Sequence, residues 1–238
     1  MRKYFINYSI KLGIIYSLFV LALSTGITVY LFYHGDTNQE LASIIKWFFV
    51  LLFFLPLFLF KNSSDFTLAE LGFKFSWKSI LITFCIILTL SIATGFNTVT
   101  ELTFGSRIFE GIARTGEELF FRGFLYLIIL RIFKDEKHKN ASAMILSSLI
   151  FTIAHTEIFL GTYHFGFFNM FFNTFITFAI IRHFSKSILP VVAIHTFMSG
   201  GIVSCIIGIM ITSCIMYISY TKEKWSTENL DFYGRRIL

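Results

Sequence analysis

Two adjacent carboxylates and an arginine stand in the stretch Gly116-Glu117-Glu118-Leu119-Phe120-Phe121-Arg122-Gly123, within a chain otherwise apolar enough for lipid. Each such charge costs about 2.5–3.5 kcal/mol on insertion into a bilayer, so it demands a partner or a function. On a helix, Glu118 and Arg122 are four residues apart and share a face, while Glu117 points about 100° away. The spacing therefore assigns Glu118 to a charge pair and leaves Glu117 for chemistry, as a general base or a metal ligand. The alternative is purely structural: both glutamates pair, with Arg122 and with a neighbour such as Arg114.

Two histidines are placed to join Glu117. His155 closes the run Phe151-Thr152-Ile153-Ala154-His155, and Phe151 lies one turn back on the same face, an aromatic wall that holds the ring and excludes water. His195 follows Pro190 in Ser187-Ile188-Leu189-Pro190-Val191-Val192-Ala193-Ile194-His195. Ser199 sits four residues on, under that imidazole, placed to donate to it or to a bound oxyanion. Glu117, His155 and His195 form a His₂Glu set, enough to hold a divalent metal such as zinc with an open position for water. They suffice equally without metal, with Glu117 as base and the histidines as polarising donors. Spacing leaves both open. Either histidine also has a plainer reading, as an interfacial side chain at a helix end. His164, Asn169 and Asn173 are second-tier candidates; the asparagines share a face and suit interhelical hydrogen bonding.

Bringing these groups together requires several helices. The chain has 238 residues, 55% hydrophobic and only 14% charged, against about 25% charged in soluble domains. Proline occurs only at Pro56 and Pro190, which favours a helical bundle over an alternating β-barrel. The expected fold is all-α and polytopic, a single membrane domain over residues 1–238. With about 20 residues per crossing, eight spans are expected: Ile10 to Tyr33, Ser43 to Phe60, Ser79 to Asn97, Ile108 or Thr115 to Phe133, Ala141 to Thr156, His164 to Ile181, Ser187 to Ser199 and Ile202 to Tyr220. The N-terminal span reads as a retained anchor rather than a cleaved signal. The longest loop, Lys61 to Lys78, reads as a short linker. Cys85, Cys205 and Cys214 have no paired spacing and read as small hydrophobes.

Sixteen basic residues fall on one side of this ladder, among them Lys11, Lys78, Arg131 and Arg182, against Arg107 and Arg114 on the other. The positive-inside rule then puts both termini in the cytoplasm. Glu117, His155 and His195 all fall toward the opposite face. The +6 charge sits in short loops and does not indicate nucleic acid. Lys46, within the second span, is expected to snorkel.

Taken in order, Glu117-Glu118-x-x-x-Arg122, Phe151-x-x-x-His155 and Ser-Ile-Leu-Pro-x-x-x-x-His195 resemble the motifs of the CPBP intramembrane proteases. These are the CAAX prenyl endopeptidases of the Ras-converting type and their bacterial relatives, the Abi proteins. The resemblance covers roughly residues 111–201. It implies an endopeptidase acting on a membrane-associated peptide or protein in the bacterial plasma membrane, in contact with membrane lipid. It further implies that Glu117 activates water, Glu118 pairs with Arg122, His155 helps bind that water or a metal, and His195 stabilises the oxyanion. Ser199 stands where the family usually carries asparagine. A non-catalytic member of the same fold, such as a bacteriocin self-immunity protein, is the first rival; a transporter with a proton relay is the second, although no repeat is visible.

Overall fold

A computed structural model describes residues 2–34, 39–59, 66–94, 102–133, 137–155 and 164–231, and no strand occurs among them. Helices are the required answer where lipid offers the backbone no hydrogen bonds. In chain order they are α1 (Arg2–His34), α2 (Gln39–Phe54, followed by a single turn Pro56–Leu59) and α3 (Trp77–Thr94). Helix α4 runs Phe104–Glu118, passes through a π-helical stretch Leu119–Leu125 and resumes over Tyr126–Ile132. Helix α5 is Lys139–Ala154, and α6 runs His164–Asn173 with a second π-helical stretch, Thr174–Ile180, before Ile181–Ser185.

The last helical run, Leu189–Asp231, is broken at Gly201, whose φ of 72° and ψ of −160° only glycine adopts readily. Beyond the break, Cys205 donates toward the Ala193 carbonyl and Gly208 lies against Val192 and Thr196. Residues 189–200 and 202–231 are therefore an antiparallel pair, α7 and α8. The short seventh span of the sequence reading is half of a hairpin. Its start is set by Ser187, whose hydroxyl accepts from the Leu189 amide at 3.2 Å, with Pro190 in the first turn where its missing N–H leaves no gap.

Among the described residues, Ile10–Ile27, Trp77–Thr94 and Leu189–Thr221 are long and apolar enough to cross a membrane, the last counted across the break at Gly201. Helix α3 shows how they face their surroundings. Trp77, Leu81, Phe84, Leu88 and Ile92 form an exposed apolar stripe, while Ser79, Thr83 and Ser91 are buried. Small polar residues inward and large apolar ones outward suit a helix solvated by lipid.

The linker expectation fails for its described part. Thr67 and Glu70 cap one another, and the Phe73 and Gly72 amides bond back to the Leu68 and Ala69 carbonyls at 2.9 and 3.1 Å. This is one helical turn with a capping box and a Schellman ending, at Gly72 with φ 101°. Phe66, Leu71 and Phe73 are buried in the core cluster beside Phe120 and Phe124. The segment is a docked plug. Arg182, expected in an exposed basic loop, is buried as well.

Candidate active site

Glu117 and Glu118 close the α-helical part of α4, and Arg122 falls inside the π-helical stretch that follows. Four residues on, Arg122 stays on the same face as Glu118. Its Nε stands 3.9 Å from Glu118 Oε2, although both side chains are fully buried. The short contact of Glu118 is elsewhere: Oε1 accepts from His195 Nδ1 at 2.7 Å. The expected Glu118–Arg122 pair thus exists only loosely, and the histidine holds the carboxylate. Instead of a tight fork, the Arg122 guanidinium has the faces of Phe151 and Phe178 at 4.6 and 5.5 Å from its central carbon. Such desolvated cation–π contacts contribute on the order of 2 kcal/mol.

Glu117 is not unpaired either. Arg114, one turn earlier, donates from Nη1 to Glu117 Oε1 at 2.7 Å and from Nε to Glu110 Oε2 at 2.9 Å. The other oxygen, Oε2, is buried, has no hydrogen-bond partner among the described residues and lies 3.8 Å from His195 Nε2. That separation is too long for a direct bond and fits one bridging water. His195 thereby presents one ring nitrogen to each glutamate.

His155 caps the end of α5 with its Nδ1 2.9 Å from the Phe151 carbonyl. A carbonyl only accepts, so Nδ1 carries the proton and Nε2 is the acceptor end. Phe151 is the wall the spacing suggested: its centroid lies 4.4 Å from the His155 ring and 6.1 Å from the His195 ring. The second wall, Phe178, stacks on His195 at 5.0 Å and was not singled out from sequence. Its only sequence signal was an aromatic among many, since a π-helical stretch sets its direction.

Glu117, Arg114, Glu110 and His155 line a cavity of about 440 Å³ together with Phe49, Phe53, Phe109 and Phe121. Lys46 also lines it and is exposed, so snorkelling describes only part of its position. Asn173 does not join the site: it is exposed, and its amide donates to Asn169 along the same helix at 2.9 Å. Ser199 is half-buried one turn beyond His195, whose two nitrogens already face the glutamates. The side chain of His164 lies outside the described residues. Among the described residues no three His, Cys, Asp or Glu side chains converge as a metal-ligand set. Arg114, the Phe151 carbonyl and Glu118 each hold one polar atom of Glu117, His155 and His195 in turn, which fixes the orientation of the second atom of each, Oε2, Nε2 and Nε2.

A carboxylate with one oxygen outside its ion pair, a histidine held by a second carboxylate, and an aromatic-walled cavity are the parts that water activation requires. Residues 101–201 match the family model described as Type II CAAX prenyl endopeptidase Rce1-like, so the resemblance read from the motifs is shown over that segment. No curated protein and no solved structure matches the chain. The family is one of proteases, and with its apolar helices the chain is an integral membrane protein.

Proposed function

We propose that the protein is an intramembrane endopeptidase that hydrolyses a peptide bond in a membrane-associated peptide or protein, with Glu117 activating the water. The observation that carries this reading is Glu117 Oε2, buried, without a hydrogen-bond partner among the described residues and 3.8 Å from His195 Nε2 at a cavity edge. His155 lines the same cavity as Glu117 and in this reading accepts a hydrogen bond from the second O–H of the water. As its oxygen attacks the carbonyl carbon, Glu117 takes the first proton. His195 acts as imidazolium, with Nδ1–H on Glu118 and Nε2–H on the developing oxyanion, the kind of preorganised donor worth about 10²–10³ in rate. Collapse breaks the C–N bond, and Glu117 passes its proton to the leaving amine. Arg114 holds the carboxylate in register, and Phe151 and Phe178 fix the two imidazoles and keep bulk water out.

In this reading the apolar runs make eight crossings of a bacterial plasma membrane, and the positive-inside bias supports an even number with both termini cytoplasmic and the site toward the other face. Comparative peptidomics of membranes carrying the wild type or Glu117→Gln tests the activity. A peptide that appears only with the wild type is expected. Identical peptidomes, with equal amounts of folded protein, would leave the non-catalytic role of an immunity protein in its place.

A further inference from the structure

The hydrogen bond between Glu118 and His195 joins two different helices, α4 and α7. Its length depends on something that holds the helices at a fixed spacing. The plug at residues 66–76 touches both. On the α4 side, Leu71 lies against the π-helical stretch at Gly123, where an added Cβ would come within 3.0 Å of the Leu71 carbonyl oxygen and 3.9 Å of its Cβ. On the α7 side, the Gly72 carbonyl accepts from the Ile188 amide at 3.1 Å, immediately before the helix that carries His195. Phe66 packs on Phe124 of the same π-helical stretch, with centroids 5.4 Å apart.

Arg182 ties the plug down. From the end of α6 its Nε donates to the Arg122 carbonyl at 3.1 Å and its Nη2 to the Glu70 carbonyl at 3.2 Å. Its guanidinium lies 5.5 Å from the Tyr126 ring centroid. A carbonyl in a π-helical stretch has an acceptor site exposed to the side, and a planar fork can serve two such carbonyls where an ammonium serves one. Gly72 leaves the room for this: a Cβ there would stand 2.8 Å from the Arg182 central carbon, and φ 101° disfavours any side chain.

We infer that the 66–76 plug is a strut between α4 and α7 and that Arg182 is the positioning residue that, through it, sets the Glu118–His195 hydrogen bond, which lies four residues before Arg122 on α4 and seven after Ile188 on α7. The catalytic significance rests on the oxyanion role proposed for His195, but the bond itself is observable without substrate, so the two ideas fail separately. In ¹⁵N-histidine-labelled protein in detergent, the Nδ1 proton of His195 is assigned by its absence in His195→Gln. Arg182→Met removes both donors, and Gly72→Ala displaces the guanidinium without altering it.

Both variants are expected to shift or lose the His195 signal. Amide exchange should rise about tenfold in 66–76 and 119–126 and stay unchanged in 77–94 and 202–221, as for a local opening. Arg182→Lys, which keeps one donor group, should lie between wild type and Arg182→Met. An unchanged His195 signal in both variants overturns the strut. So does a uniform loss of protection through the bundle or failure to fold, which makes Arg182 a general support of the fold.

Discussion

Two arginines are buried within the same bundle, and they are used in opposite ways. Arg182 spends its donors on the Arg122 and Glu70 backbone carbonyls. Arg122 is fully buried, yet none of its three nitrogens has a hydrogen-bond partner among the described residues, and it rests on Phe151 and Phe178. The region around Arg182 is satisfied and keyed into glycine and backbone, as a structural joint should be. Around Arg122 and Glu117 several buried polar atoms have no hydrogen-bond partner among the described residues. Intramembrane charge by itself therefore does not mark a catalytic residue.

The largest effect should come from the unsatisfied region. Glu117→Gln keeps the shape and removes the base, so activity should fall by about 10²–10⁴-fold, with folded yield near wild type, in a cleavage assay normalised to monodisperse protein. Thermal stability should show the reverse contrast. Arg182→Met strands one buried and one part-buried carbonyl at about 1–3 kcal/mol each, whereas Arg122→Met breaks no hydrogen bond among the described residues and leaves Glu118 its bond to His195. Melting curves in detergent should therefore rank Arg182→Met well below Arg122→Met; equal losses would erase the distinction between the two regions.

A double-mutant cycle sharpens the same point within the site. The coupling of Glu118 with His195 at 2.7 Å should exceed its coupling with Arg122 at 3.9 Å, by about 1–2 kcal/mol for a charge-assisted bond against a loose pair. A larger Glu118–Arg122 coupling would restore the pairing that the i,i+4 spacing implied. Ser199→Ala should cost less than about tenfold in rate, since a principal oxyanion donor is worth about 10²–10³-fold. Smallest of all is the effect of a chelator such as EDTA, which should leave the cleavage rate unchanged; loss of activity restored by added zinc would reassign Glu117, His155 and His195 as metal ligands.

Much of this was legible in the residues. The helical class follows from composition, and the motif order brought Glu117, His155 and His195 to one place. Phe151 as a wall for His155 follows from a one-turn spacing in a regular helix. What was missed lies where the winding is irregular or the contact is long-range. The i,i+4 rule paired Glu118 with Arg122, which stand 3.9 Å apart, but could not show the shorter bond of Glu118 to His195, 77 residues away. Phe178 reaches His195 from the π-helical stretch Thr174–Ile180. Arg114 was visible as a neighbour of Glu117 but was weighed only as part of a structural alternative, although Glu110-x-x-x-Arg114-x-x-Glu117 spells a ladder on one face. The plug had a local signature too: Thr67-x-x-Glu70 is a capping box and Gly72 a helix stop, both inside a segment taken for a linker. Arg182 could not be placed from sequence, because its partners lie 60 and 112 residues away.

The central claim is that Glu117 directs a water onto a peptide carbonyl. It is tested most directly by cleaving the identified substrate peptide with purified protein in H₂¹⁸O and weighing the products. The account predicts a single ¹⁸O in the newly formed carboxylate with the wild type and no product from an equal amount of folded Glu117→Gln. Product formed by Glu117→Gln at the wild-type rate, labelled in the same way, would contradict it.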